Sequence, residues 1–166
     1  YNKRMKKISF LLISLIFLIN ISACTGYKPI FGSSNLEFKI VDYSISGDKS
    51  LGNQIYSRLY DFSKSTENVT EAKNIYILIN SSQNKNVTAK NSAGKILGYR
   101  VSLSTTIIVK DLMTGNEILN ETFYYSSTYK TQDEFFETKK LENQIIENLI
   151  NTTYQDLLIK LSEKLL

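Results

Sequence analysis

Hydrophobic positions along the chain switch between two spacings, and each switch marks an element. Leu36, Phe38 and Ile40 fall on one side of a two-residue repeat, so 36–45 reads as a strand. Asp48 or Ser50 can cap a helix after it. In that helix Leu51, Ile55, Leu59 and Phe62 recur on one stripe, with Asn53, Ser57 and Asp61 elsewhere. Gly52 is expected to weaken its first turn by up to ~1 kcal/mol relative to alanine. Ile75-Tyr76-Ile77-Leu78-Ile79 is a short β-branched run, the pattern of a buried strand. The polar stretch from Asn80 to Gly98 leaves two readings open: a loop, or two strand ends around a turn at Ala93-Gly94.

The clearest strand runs from Tyr99 to Lys110. Tyr99, Val101, Leu103, Thr105, Ile107 and Val109 point one way; the other side is polar except for Ile108. Asp111 to Asn116 is a turn in which Gly115 is free to take positive φ. Residues 117–129 return as an antiparallel partner, with Phe123, Tyr125 and Tyr129 on one face. Thr131 and Glu134 match a capping box. The helix it opens is expected over 132–165. Its stripe is Leu141, Ile145, Leu149, Leu157, Leu161 and Leu165, widened by Ile146, Ile150 and Leu158. Asn151-Thr152-Thr153 is a weak spot that could bend or break it. The order is β-α-β-β-β-α, an α+β chain in which two helices cover the apolar face of a small sheet.

Charge changes the picture at the front. The chain has 166 residues and a formal charge of +4. Residues 1–23 hold Lys3, Arg4, Lys6, Lys7 and no acid, so the remaining 143 carry 16 basic and 16 acidic side chains. A basic segment followed by the apolar run Ile8 to Ile19 is the pattern of a secretory signal. An uncleaved anchor would need about 20 apolar residues, and this run is interrupted by Asn20 and Ser22. The ending Ile21-Ser22-Ala23-Cys24 resembles a bacterial lipobox, which implies a covalent lipid on Cys24. We therefore divide the chain into a leader (1–23), a lipidated linker (24–35) and one α+β domain (36–166).

Chemistry is limited by what the chain lacks. It has one cysteine and no histidine, which excludes an intrachain disulfide, His-dependent nucleophilic catalysis and the usual zinc sites. Gly94-Lys95 lacks the flanks of a phosphate loop. Asp133, Glu134 and Glu137 cluster at a helix start, where the dipole accounts for them. A binding or assembly role, with no cofactor beyond the lipid, is expected over an enzyme. The charge is also divided. From Ala72 to Lys110 there are six basic residues and no acidic ones; from Asp111 to Leu166 there are ten acidic and five basic. The cationic segment reads either as lysines guarding strand edges or as a site for an anionic headgroup centred on Lys95 and Arg100. Nucleic acid is not an expected partner of an exported chain.

The segment Gly26-Tyr27-Lys28-Pro29-Ile30-Phe31-Gly32 resembles the opening of the LPS-assembly lipoprotein LptE family, in its alphaproteobacterial form. The strand, turn and strand from Tyr99 to Tyr129, with Asp111 and Thr114-Gly115 at the turn, is a second likeness. The terminal helix entered through Tyr129 to Phe136 is a third. Thr25, inserted between the cysteine and the glycine, departs from the pattern, as does the scarcity of arginine. The resemblance implies a two-layer sandwich with two helices on one face of a mostly antiparallel four-stranded sheet. It implies a lipid-anchored protein on the periplasmic face of the outer membrane that plugs an LptD-type β-barrel and assists lipopolysaccharide transport. Candidate lipopolysaccharide contacts are then Lys85, Lys90, Lys95 and Arg100, with Lys139 and Lys140 on the last helix. A generic envelope lipoprotein serving another transport or adhesion complex is the alternative.

Overall fold

The computed structural model describes residues 36–65 and 72–165, which belong to a compact unit spanning 35–166. The leader, Cys24, the 24–35 linker and the 26–32 segment lie outside the described residues. The order is β1 (Phe38–Gly47), α1 (Lys49–Ser65), β2 (Lys73–Lys90), β3 (Ile96–Asp111), β4 (Glu117–Lys130) and α2 (Phe135–Leu165). The four strands form one sheet in sequence order. β1 pairs with β2 in parallel, and β2–β3 and β3–β4 are antiparallel. A parallel pair cannot be joined by a tight turn, and α1 supplies the crossover it needs.

Both helices lie on the apolar face. Ile75, Ile77, Ile79, Val101, Leu103, Ile107 and Val109 meet Leu51, Ile55 and Leu59 of α1 and Ile150, Leu157 and Leu161 of α2 in one buried cluster. In β1 the register slips between Ile40 and Asp42. The extra residue, Val41, turns the strand over, so Phe38 and Ile40 and then Tyr43 and Ile45 share the helix side. That is why the alternation fades after Ile40. Asp48 is the cap of α1: its Oδ1 accepts the amides of Ser50 and Leu51 at 3.0 and 3.2 Å. Gly52 has a packing reason, since a Cβ there would sit 2.5 Å from Cγ2 of Ile45.

The polar stretch after Ile79 is strand. β2 continues to Lys90 and turns through 91–95, with Gly94 at φ +83°. Gly115 takes φ +72° in the second turn, as expected. The expected capping box does not form. Thr131 donates its hydroxyl to the Ile96 carbonyl, Thr138 Oγ1 accepts the Gln132 amide, and α2 begins at Phe135. The helix also runs unbroken through its weak spot. Thr152 and Thr153 donate to the carbonyls of Asn148 and Leu149, four residues back, so neither hydroxyl competes for a helical amide.

The other sheet face is uncovered by helices, and its charges (Lys39, Asp42, Arg100, Lys110, Glu117 and Lys130) lie around an uncharged centre. Its central rungs are Leu78–Ile108–Asn120, Asn80–Thr106–Thr122, Ser82–Ser104–Tyr124 and Asn84–Ser102–Ser126. Arg100 and Lys110 stand at the two ends of this lattice. Among the described residues no helix is long and apolar enough to cross a membrane.

Candidate ligand-binding end of the sheet

β2 outruns β1, whose last partner is Ser81, so β2, β3 and β4 extend together to a far end. That end is built from the 91–95 turn, the 131–134 connection and the start of α2. Thr131 locks the connection to β3, its amide and hydroxyl donating to the carbonyls of Leu97 and Ile96 at 3.0 Å each. α2 then runs back along β4, tied first by Tyr129 to Glu142 and later by Tyr125 to Asp156. Arg58 joins the two helices through Glu147 and Asn151.

Beneath the hairpin lies a polar cluster inside the helix layer. Lys85 is on the helix side of β2, opposite Val101. Its Nζ donates to Oε2 of Glu142 at 2.5 Å, and Tyr129 OH donates to the same oxygen at 2.9 Å. Lys139 Nζ reaches Oε1 at 3.1 Å. Glu142 is only 5% exposed. Burial pushes its carboxyl up, but the three donors outweigh burial and hold it at about 2. Lys85 shows the reciprocal balance: burial lowers it, and the bond to Glu142 leaves it raised. Its ammonium also lies 4.2 Å from the centroid of the Tyr99 ring. Among the described residues no buried side-chain nitrogen or oxygen lacks a partner.

The structure thus brings Lys85 and Lys139 together, on one carboxylate. The other candidates are not gathered with them. Lys90 and Lys95 are exposed on either side of the hairpin turn, where the Lys95 amide donates to Asn91. Arg100 is on the open face and lines a shallow hollow of about 690 Å³ with Leu97, Thr128 and Lys130. Lys140 faces solvent on α2, beside Glu137 and Gln144. Cys24 lies outside the described residues.

Apolar side chains accompany the cations. Phe135 and Phe136 are 83% and 70% exposed, and Leu97 and Val87 are partly so. Such a surface, aromatic and cationic with three carboxylates (Asp133, Glu134 and Glu137) at its edge, suits an amphiphile with an anionic head. Sequence reasoning missed Glu142. The signal was present: Thr138 and Glu142 continue the stripe of Ile145, Leu149 and Thr153 at helical spacing, and a charge inside an apolar stripe must be paired.

The mixed sheet, with one parallel edge strand and two helices on the same side, is a fold shared with solved bacterial lipoproteins. The chain is similar to the rare lipoprotein B of Shewanella oneidensis, with 16% identity and TM-score 0.52 over 75% of this chain and 96% of that one. An uncharacterized lipoprotein B of Nitrosomonas europaea gives 15% identity and TM-score 0.56 over 80% and 88%. A minor lipoprotein of Acinetobacter baumannii gives 14% and 0.53 over 76% and 92%. No family model matches the chain, and no curated protein does. At these identities the likeness defines the fold.

Proposed function

We propose that this chain is a lipid-anchored envelope lipoprotein that binds and plugs an LptD-type outer-membrane β-barrel and assists lipopolysaccharide transport. In this reading it is not an enzyme, needs no cofactor beyond the lipid on Cys24, and sits at the periplasmic face of the outer membrane. The observation that carries the reading is the far end of the sheet, where Lys90, Lys95 and Arg100 lie with exposed Leu97, Phe135 and Phe136. The shared lipoprotein fold and the lipobox-like ending at Cys24 support it. The polar open face, uncharged at its centre, fits the polar lumen of a barrel.

Each cation near an anionic lipid surface is worth about 1 kcal/mol. Changing Lys90, Lys95 and Arg100 to Glu therefore predicts lipopolysaccharide binding weaker by on the order of 100-fold at fixed ionic strength. Unchanged binding would assign these charges to solubility. Co-purification of a large barrel protein from detergent-extracted outer membrane tests the partner, and recovery of a free monomer beside the intact barrel would refute it.

A further inference from the structure

The opposite end of the sheet carries a second apolar surface. Met113 is 86% exposed and Leu112 is 47% exposed, adjacent in the 111–116 turn. The turn is firmly built. Asp111 Oδ1 accepts the amides of Met113 and Thr114, and its carbonyl accepts that of Gly115 at 2.9 Å. The Leu112 amide donates to Asn74 on β2, also at 2.9 Å. Two apolar side chains are thus held out by a fixed backbone.

We propose that this turn contacts lipid: in the anchored chain that is not yet seated in a barrel, it places Met113 and Leu112 at the acyl boundary of the leaflet that holds Cys24. The proposal rests on lipid attachment at Cys24. Chain path and length argue for it. The domain is entered at Leu36, and Phe38 is paired with Lys73, two residues before the Ile75 that faces Asp111. The turn and the entry point therefore share one end of the sheet. Eleven residues lie between Cys24 and Leu36, and the twelve Cα–Cα steps that join the two reach about 40 Å fully extended. β2, with 18 residues, spans about 60 Å. The tether is shorter than the sheet, so the domain cannot stand inverted with its hairpin on the same leaflet. Standing on the tethered end removes Met113 and Leu112 from water and points the cations of the far end away from the membrane.

The chain contains no tryptophan, so a single introduced one is an unambiguous reporter. Met113→Trp and, at the opposite tip, Ala93→Trp would each be placed in the full lipidated chain on phosphatidylethanolamine–phosphatidylglycerol vesicles. The expected result is emission from position 113 that moves to shorter wavelength and is quenched by lipids brominated along the acyl chain. Emission from position 93 stays as in water. If the chain floats with the vesicles while position 113 keeps water-like, unquenched emission, this proposal falls and the anchored reading survives. If the chain does not float, both fall together.

Discussion

Glu142 offers the sharpest energetic test, because a buried carboxylate with three donors has a calculable dependence on pH. Its folded-state value of about 2 lies below the ordinary 4.5. That difference corresponds to about 3 kcal/mol of stability at neutral pH. Lys139, half exposed, contributes least to it. A carboxyl lowered in the folded state stabilises above its unfolded value and loses that contribution as pH falls through the folded one. Glu142→Gln mimics the protonated side chain in shape and hydrogen-bonding reach. It should therefore cost about 3 kcal/mol at pH 7, about 1 kcal/mol at pH 3, and nothing below roughly pH 2. Urea denaturation followed by far-ultraviolet circular dichroism reads this directly. At pH 7 the midpoint should fall by about 1–3 M for a small-domain slope. A penalty that stays the same from pH 7 to pH 3 would refute the argument, since it would come from lost packing rather than from lost charge pairing.

Two other changes test the packing. Gly52→Ala places a methyl against the stiff Cγ2 of Ile45 and should destabilise by about 1–3 kcal/mol, as overpacking does. Ile45→Ala in the same chain should recover part of that loss, and additive penalties in a double-mutant cycle would show that the two residues do not collide. Asp48→Ala removes the cap of α1 and should cost about 1 kcal/mol in the same denaturation assay; an unchanged midpoint would mean that the two amides find solvent at no cost.

Much of the fold was legible because hydrophobic spacing responds directly to burial. Leu51, Ile55 and Leu59, and then Leu149, Leu157 and Leu161, are buried where their helical spacing placed them. Tyr99 to Val109 alternates as a sheet covered on one side must. What could not be read was set by long-range pairing. The strand from Asn80 to Lys90 has little apolar pattern of its own, and it is strand because β3 supplies its hydrogen bonds. Thr131 looked like a helix cap by local spacing, but a carbonyl 35 residues away claimed its hydroxyl. The candidate cations were visible as residues, but not as partners. Nothing local tells Lys85 that a helix 57 residues later delivers a carboxylate to it, while Lys90 and Lys95, five and ten residues further on, stay in water.

The open sheet face has a consequence for how contacts there respond to salt. Hydroxyls and amides from Asn80, Ser82, Asn84, Ser102, Ser104, Thr106, Thr122 and Ser126 make up its centre, with Thr106 and Thr122 bonded to each other at 2.9 Å. Such groups both donate and accept, so a surface laid against them is chosen by fit and hydrogen-bond register more than by charge. The cationic tip behaves in the opposite way. In the proposed reading one molecule would thus offer two surfaces with different sensitivities to ionic strength, and raising the salt would loosen contacts at the tip more than contacts at the centre of the face.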